Sequence, residues 1–270
     1  MNASTDPHPE PEDGLFAGTA WYYARYRPGY PPTVLHELIA HLGLDGTGRL
    51  LDLGCGTGQL TFPLAAHVSE AVGVDPEPDM LTEAHRQASD QGVTNVHWVR
   101  GSSADLPGDL GHFRLVTMGR CFHWMDREHV LTALGDMVDE EGALVIVNDS
   151  NLNLPSTPWQ QVIADTQRRF LTPDHDYGPT PAARHGPPHE QVLASSPFRH
   201  VEREVHQYER AWTINQAIGY LYSTSLPLRR LLGARRTAFE EALTTALLGI
   251  DPTGQFTEPV ALEVLTATRD

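Results

Sequence analysis

One stretch constrains the fold more than any other, because residues 50–60 read LLDLGCGTGQL. An apolar run typical of a buried parallel strand ends there, glycines follow at alternate positions 54, 56 and 58, and a helical pattern begins. Glycine lets a backbone turn tightly beneath a ligand, and the helix N-terminus behind it presents unpaired N–H groups. Such a unit predicts a nucleotide site at the carboxyl edge of an α/β sheet. The spacing GxGxG differs from the GxGxxG of dinucleotide folds and suits an adenosyl ligand without a pyrophosphate.

The first half of the chain alternates between strand and helix patterns, which predicts a parallel, doubly wound sheet. The predicted strands are 49–53, 71–74, 95–100, 113–118 and 143–147, and the predicted helices between them include 59–67, 78–91 and 127–138. Residues 139–142 are expected to form the turn before the fifth strand.

After residue 150 the alternation stops, which divides the chain into three parts. We expect a disordered tail over 1–14, a cofactor-binding core with an N-terminal lid over 15–150, and cap helices with the last two strands of the same domain over 151–270. The helices of the third part are predicted at 158–171, from 213 and at 235–248, and its strands at 198–212 and near 260–265. Thr213 and Gln216 have the spacing of a helix capping box.

Composition excludes several classes of protein. The formal net charge is −16, and no basic stripe is visible, which argues against a nucleic-acid partner. No apolar run reaches the length of a membrane helix, and from the first residues we expect no signal peptide. Only two cysteines occur, so a disulfide framework is excluded and a cytoplasmic location is expected.

The segment DLGCGTG at residues 52–58 resembles the first motif of class I S-adenosylmethionine-dependent methyltransferases, in their small-molecule (type 11-like) branch. The resemblance implies a seven-stranded Rossmann-like sheet with an antiparallel edge hairpin and, in this chain, a helical cap. It also implies S-adenosyl-L-methionine as cofactor and S-adenosyl-L-homocysteine as product. The acceptor would be an O, N or C nucleophile of a small aromatic or hydrophobic metabolite, of the kind found in secondary metabolism.

The cofactor contacts follow from the same resemblance. Asp75 ends the second strand, where a carboxylate can accept both ribose hydroxyls, although NAD-binding folds share this geometry. Residues 103–107 are similar to the loop that reads the adenine edge, and residues 26–31 to a segment that closes over the methionine end. The implied cofactor-binding residues are Tyr26, Arg27, Asp52, Gly54, Cys55, Gly56, Gly58, Asp75, Pro76, Met80, Ser103, Ala104 and Arg120. Asp105 could accept from the adenine amino group or cap its own turn.

The catalytic and substrate residues are expected after the fourth strand. His123 has an imidazole suited to a general base, and a pocket-wall role is an equal alternative. Tyr22 and Tyr26 are further candidates for catalysis, and the expected substrate pocket contains Phe122, His123, Trp124, Asn148 and Tyr177. Because no acid directly follows the fourth strand to complete a site with Asn148, we expect no metal.

Three alternatives stay open on sequence alone. A methyltransferase acting on a macromolecule would share the motif, although the acidity of the chain opposes it. A protein that binds an adenosyl cofactor without transferring methyl would have the same binding residues. An NAD-dependent oxidoreductase is disfavoured by the glycine spacing. The identity of the acceptor, the methylated atom and the oligomeric state are open.

Overall fold

The strand patterns of the sequence assemble into one seven-stranded sheet in the computed structural model, which describes residues 16–149, 155–171 and 186–269. The strand order is β3-β2-β1-β4-β5-β7-β6. The strands are β1 Arg49–Leu53, β2 Glu70–Asp75, β3 Val96–Arg100, β4 Phe113–Gly119, β5 Val138–Asp149, β6 His200–Thr213 and β7 Gln255–Thr268. Strands β1 to β5 pair in parallel, whereas β7 runs antiparallel to both β5 and β6. The sheet and its antiparallel edge hairpin confirm the predicted fold class.

The helices connect the strands and cover the sheet. They are α1 Ala20–Tyr26, α2 Pro32–His41, α3 Thr61–Ala65, α4 Pro78–Gln91, α5 Arg127–Met137, α6 Pro158–Phe170, α7 His189–Ala194, α8 Ile214–Leu221, α9 Leu228–Leu232 and α10 Arg236–Ile250. Proline opens α2, α4 and α6, where its missing N–H is tolerated. The capping box predicted for Thr213 and Gln216 is confirmed at the start of α8. Within the described ranges, no helix is long and apolar enough to cross a membrane.

Three apolar clusters hold these layers together. One lies on the face of the sheet covered by α5 and α7, and a second lies on the opposite face under α2 and α3. The third joins α6, α8, α9 and α10 to the far ends of the hairpin, where Trp212 and Phe256 are buried. Because β1 lies between β2 and β4, the connections diverge to opposite sides there, and sheets of this kind bind their ligands at the carboxyl ends of these strands.

Several element boundaries differ from the sequence prediction. β5 begins at Val138, so residues 139–142 belong to the strand and not to a turn. The pairing with β4 shifts register there, and a Cβ at Gly142 would lie 2.9 Å from the Arg114 carbonyl oxygen, so glycine permits a local irregularity. α3 is two residues shorter than predicted at each end, covering 61–65 instead of 59–67.

Three further expectations concern the ends of the chain and the cap. β7 is longer than predicted because only alternate residues of its first half are buried, which weakens the apolar signal. Helix α7 was not predicted at all. The tail at 1–14 and Tyr177 lie outside the described residues, and the proposed domain division stays a prediction.

Candidate functional site

The glycine turn leaves β1 at the centre of the carboxyl edge. All three glycines have positive φ angles, +72° at Gly54, +54° at Gly56 and +88° at Gly58. A Cβ at position 54 or 58 would lie within 3 Å of a neighbouring side chain, whereas at position 56 it would meet only the ring of Tyr23, at 3.6 Å. The N–H groups of Gly54 and Cys55 both donate to the Val74 carbonyl oxygen, at 2.8 and 3.0 Å. The turn is therefore anchored from below at Val74, and Gly56 is buried beneath the ring of Tyr23.

Asp75 lies beside this turn at the end of β2. Its Oδ2 accepts a hydrogen bond from the Gly56 N–H at 2.8 Å, and its Oδ1 accepts from the Glu77 N–H at 2.9 Å. Burial raises the pKa of this carboxyl group, although both hydrogen bonds oppose the shift. Because two carboxylate oxygens offer about four acceptor positions, Asp75 can still accept from two hydroxyl groups. Its location at the carboxyl edge is the one that a ribose contact requires.

Asp52 lies underneath the turn and braces three elements. Its Oδ2 accepts from the Thr61 hydroxyl at 2.5 Å, and its Oδ1 accepts from the Thr117 hydroxyl at 2.9 Å. Burial raises the pKa of Asp52 to about 6, against the effect of both hydroxyl groups. The carboxylate thus links β1, α3 and β4, and at neutral pH it places a negative charge below the glycine turn. Cys55 also packs inward, where burial raises the pKa of its thiol.

The loop that was predicted to read the adenine edge follows β3 and forms a single 3₁₀ turn, Ser103–Asp105. Asp105 caps this turn, since its Oδ2 accepts from the N–H and the hydroxyl of Ser102, at 2.6 and 2.9 Å. These hydrogen bonds lower the pKa of Asp105. Of the two sequence interpretations for Asp105, the geometry favours the cap. Ala104 is exposed beside it, and in the first turns of the β2–α4 connection Pro76 is exposed and Met80 is buried.

The N-terminal segment, residues 16–30, lies across the carboxyl edge. The ring of Tyr23 covers Gly56, as described above. The guanidinium of Arg27 lies near two aromatic rings, with its Cζ 5.4 Å from the Tyr23 centroid and 5.2 Å from that of Tyr220. Its Nε is buried and, within the described ranges, has no hydrogen-bond partner. Arg27 therefore offers a preorganised but unsatisfied donor group next to the turn.

Tyr22 and Tyr26 occupy a different environment from the one expected. The ring of Tyr26 packs against Gly219 of α8 so closely that a Cβ there would overlap it. Tyr22 meets Tyr222 edge-on, with ring centroids 5.3 Å apart. Both tyrosines therefore join α1 to the cap, and the aromatic ring over the glycine turn belongs to Tyr23. The four-residue spacing of Tyr23 and Arg27 is a sequence signal for this contact, although Arg27 itself lies just beyond the end of α1.

Arg120 connects the carboxyl edge to the N-terminal segment. It has a φ of +57°, which is uncommon for a residue with a side chain and often marks a functional site. Its Nε and Nη2 donate to the two carboxylate oxygens of Asp149, at 2.8 and 3.1 Å, while its Nη1 donates to the Pro28 carbonyl oxygen at 2.7 Å. The guanidinium, predicted as a cofactor contact, thus binds the backbone of the N-terminal segment at Pro28.

The same carboxylate extends the network to the edge hairpin. Arg210, which sequence analysis did not select, donates from Nη2 to Asp149 at 3.2 Å and from Nη1 to Glu258 at 2.9 Å. Burial by itself would raise the pKa of Asp149, but the charges of Arg120 and Arg210 outweigh it and lower this pKa. Asn148 precedes Asp149 on β5 and is half-buried.

The predicted acceptor pocket follows β4. His123 belongs to a 3₁₀ turn, Phe122–Trp124, and its ring lies 5.0 Å from that of Trp124, which is 37% exposed. Burial, together with nearby positive charges that include Arg27, lowers the pKa of His123 to about 4. The ring of His189 in α7 packs against the ring of Phe122, with centroids 5.0 Å apart. His189 was not among the residues predicted for the site. His123 is therefore neutral at physiological pH and available for hydrogen bonding.

Comparison with known proteins assigns this architecture to a class. Residues 50–142 match the family model described as a methyltransferase domain. An uncharacterised methyltransferase from Schizosaccharomyces pombe is 30% identical over 138 residues, which cover 51% of this chain and 52% of that protein. The chain spans about half the length of the first curated relatives that it matches.

Solved structures extend the likeness to the whole fold. A structure from Anaeromyxobacter dehalogenans, provisionally described as a type II methyltransferase, is 19% identical and has a TM-score of 0.60, covering 90% of this chain and 98% of its own. An S-adenosylmethionine-dependent methyltransferase from Thiobacillus denitrificans, solved with S-adenosyl-L-homocysteine, is 21% identical with a TM-score of 0.51, covering 92% and 96%. The fold is thus that of Rossmann-like methyltransferases. The chain is therefore similar to S-adenosylmethionine-dependent methyltransferases, through a methyltransferase domain at residues 50–142 and through its fold.

Proposed function

We propose that this protein transfers a methyl group from S-adenosylmethionine to an O, N or C nucleophile of a small aromatic or hydrophobic metabolite. The observation that carries the proposal is the Asp75 carboxylate, held at the carboxyl edge by the N–H of Gly56 with acceptor positions left for two hydroxyl groups. The sulfonium of the cofactor supplies the activation of the methyl group, so the protein needs mainly to align the reactants.

The residues around the turn fit the polar ends of this cofactor. Asp75 would bind the ribose, and the backbone at Gly56 would lie beneath the ligand. The unpartnered Nε of Arg27 is suited to the methionine carboxylate, because a guanidinium binds a carboxylate through paired N–H groups. The buried hydroxyl of Thr57, inside the turn, is also without a hydrogen-bond partner in the described part of the chain. These donors support a ligand with a carboxylate and a sugar.

The acceptor side supports a small and largely apolar substrate of the natural-product type. Trp124 presents a partly exposed ring for an aromatic acceptor, whereas Phe122 is buried in the apolar cluster under α5 and α7. Neutral His123 can orient an acceptor hydroxyl or amine by hydrogen bonding. As a base, however, a group with a pKa of about 4 is poorly matched to neutral pH. We therefore favour orientation over proton abstraction for His123. The net charge of −16 supports a small molecule over a polyanionic partner.

Calorimetric titration with S-adenosylhomocysteine tests the cofactor site. Asp75→Ala should weaken binding about 100-fold, since two hydrogen bonds to a charged carboxylate are lost. Asp90→Ala is the matched control, because Asp90 is exposed at the far end of α4 and pairs only with Arg86 among the described residues. Equal binding by the wild type and Asp75→Ala would refute the site.

Turnover tests the reaction itself. The wild type should convert labelled S-adenosylmethionine to S-adenosylhomocysteine in the presence of some member of a panel of aromatic metabolites, with the methyl group found on the acceptor by mass spectrometry. Tight cofactor binding without methyl transfer to any acceptor would favour the alternative of a cofactor-binding protein. Transfer only to nucleic acid or protein would favour the macromolecular alternative.

A further inference from the structure

We infer that Gln59 is a positioning residue that aims the Arg27 guanidinium at the carboxylate of the cofactor. The inference rests on the proposed function, because it assumes an adenosyl ligand with a methionine end. Gln59 directly follows the glycine turn, and its side-chain Nε2 donates to the carbonyl oxygen of Arg27 at 3.0 Å. Gln59, next to the glycine turn, therefore holds the backbone of Arg27, the residue expected to bind the ligand carboxylate.

The backbone on each side of Arg27 is held as well. Before it, the ring of Tyr26 packs directly on Gly219 of α8. After it, the Pro28 carbonyl oxygen accepts from Arg120 at 2.7 Å. Three consecutive residues are thus attached to three separate elements, the cap helix, the glycine turn and the end of β4. The Cα of Arg27 has a defined place relative to the turn before any ligand binds.

This placement matters because an arginine side chain has many rotamers and loses much of that conformational entropy on binding. The rings of Tyr23 and Tyr220 already restrict the guanidinium, and the Gln59 bond fixes the origin of the side chain. Prior restriction lowers the entropic cost of forming the paired hydrogen bonds to a carboxylate. Loss of the Gln59 amide should therefore weaken recognition of the carboxylate without affecting the nucleoside.

Gln59 is a better test of this arrangement than Arg120. Removal of Arg120 would alter a buried ion pair with Asp149 and could unfold the protein. Gln59 is half-buried and neutral, and Gln59→Leu keeps its approximate size while removing the donor. Gln91→Leu is the matched control, because Gln91 lies exposed at the end of α4.

The experiment compares two ligands by calorimetry, S-adenosylhomocysteine and its decarboxylated analogue. The wild type should prefer the carboxylate form about 30-fold, and Arg27→Met should abolish the preference. Gln59→Leu should weaken the binding of S-adenosylhomocysteine about tenfold and the binding of the analogue less than twofold. Gln91→Leu should change neither affinity. In an Arg27→Met background, Gln59→Leu should have no further effect on the ratio.

Each possible result supports or overturns either the role of Gln59 or the proposed function. A Gln59→Leu protein with native circular dichroism and the wild-type preference would overturn the inference, as would an equal loss for both ligands, which indicates general support of the turn. Absence of S-adenosylhomocysteine binding to the wild type would instead overturn the proposed function. A preference that Arg27→Met removes but Gln59→Leu retains would leave the cofactor assignment intact and remove only the role of Gln59.

Discussion

Asp52→Asn should stabilise this protein by an amount that grows with pH. Burial raises the pKa of the wild-type carboxyl group to about 6 in the folded state, from an ordinary value of 3.8. The folded state therefore binds this proton more tightly than the unfolded state does. Asp52 contributes its full stabilisation below the unfolded pKa of 3.8, and this contribution is lost as the pH rises through the folded pKa of about 6. This difference in pKa corresponds to about 3 kcal/mol at pH 8. At pH 5 it corresponds to about 1.5 kcal/mol, because folded Asp52 is largely protonated there. Asparagine removes this cost because it carries no charge.

The polar contacts of the site can survive the substitution. The amide oxygen can accept from one of the two threonine hydroxyls, while the NH₂ group donates to the other. Any cost of rearranging these hydrogen bonds is nearly the same at both pH values and cancels in their comparison.

Urea unfolding of the wild type and Asp52→Asn at pH 5 and pH 8 measures the effect. The free energy of unfolding gained by the variant should be about 1–2 kcal/mol larger at pH 8 than at pH 5. Thr47→Ser, an exposed change near Asp45, should show no such dependence. A gain that is equal at both pH values, or one that falls as the pH rises, would refute the reasoning.

The remaining predictions concern the turn, the cap and the pocket. Gly58→Ala should lower the free energy of unfolding by about 1–3 kcal/mol more than Gly92→Ala in urea titrations, because both have positive φ but only position 58 lacks space; equal losses would contradict this. Gly219→Ala should weaken S-adenosylhomocysteine binding severalfold, because the added methyl group would displace the ring of Tyr26. Gly249→Ala in α10 faces open space and should leave this affinity unchanged. Wild-type affinity in both variants would show that the contact between Tyr26 and the cap does not affect cofactor binding. His123→Ala should slow turnover about tenfold without changing cofactor affinity, and the wild-type pH–rate profile should show no ionisation from this imidazole between pH 5 and 8; an unchanged rate would leave His123 only a place in the pocket wall.

Local sequence rules account for the core of the fold. Glycines at 54, 56 and 58 all adopt positive φ, which is a local backbone requirement that the residue type itself reveals. Helix α4 begins and ends where proline and Gly92 predict, and the alternation of strands and helices is sufficient to predict a parallel sheet. The place of Asp75 at the carboxyl edge follows from its position at the end of a strand.

The contacts that complete the site were decided only by the tertiary structure. Gln59 and Arg27 lie 32 positions apart, and Arg210 and Asp149 lie 61 apart, so no local pattern links either pair. The low pKa of His123 likewise comes from burial and from charges on other elements. Spacing along a chain determines which residues share a strand end or a helix face, because backbone geometry is local. Which side chains meet across elements, and how deeply they are buried, depends on packing of the whole sheet and its cap.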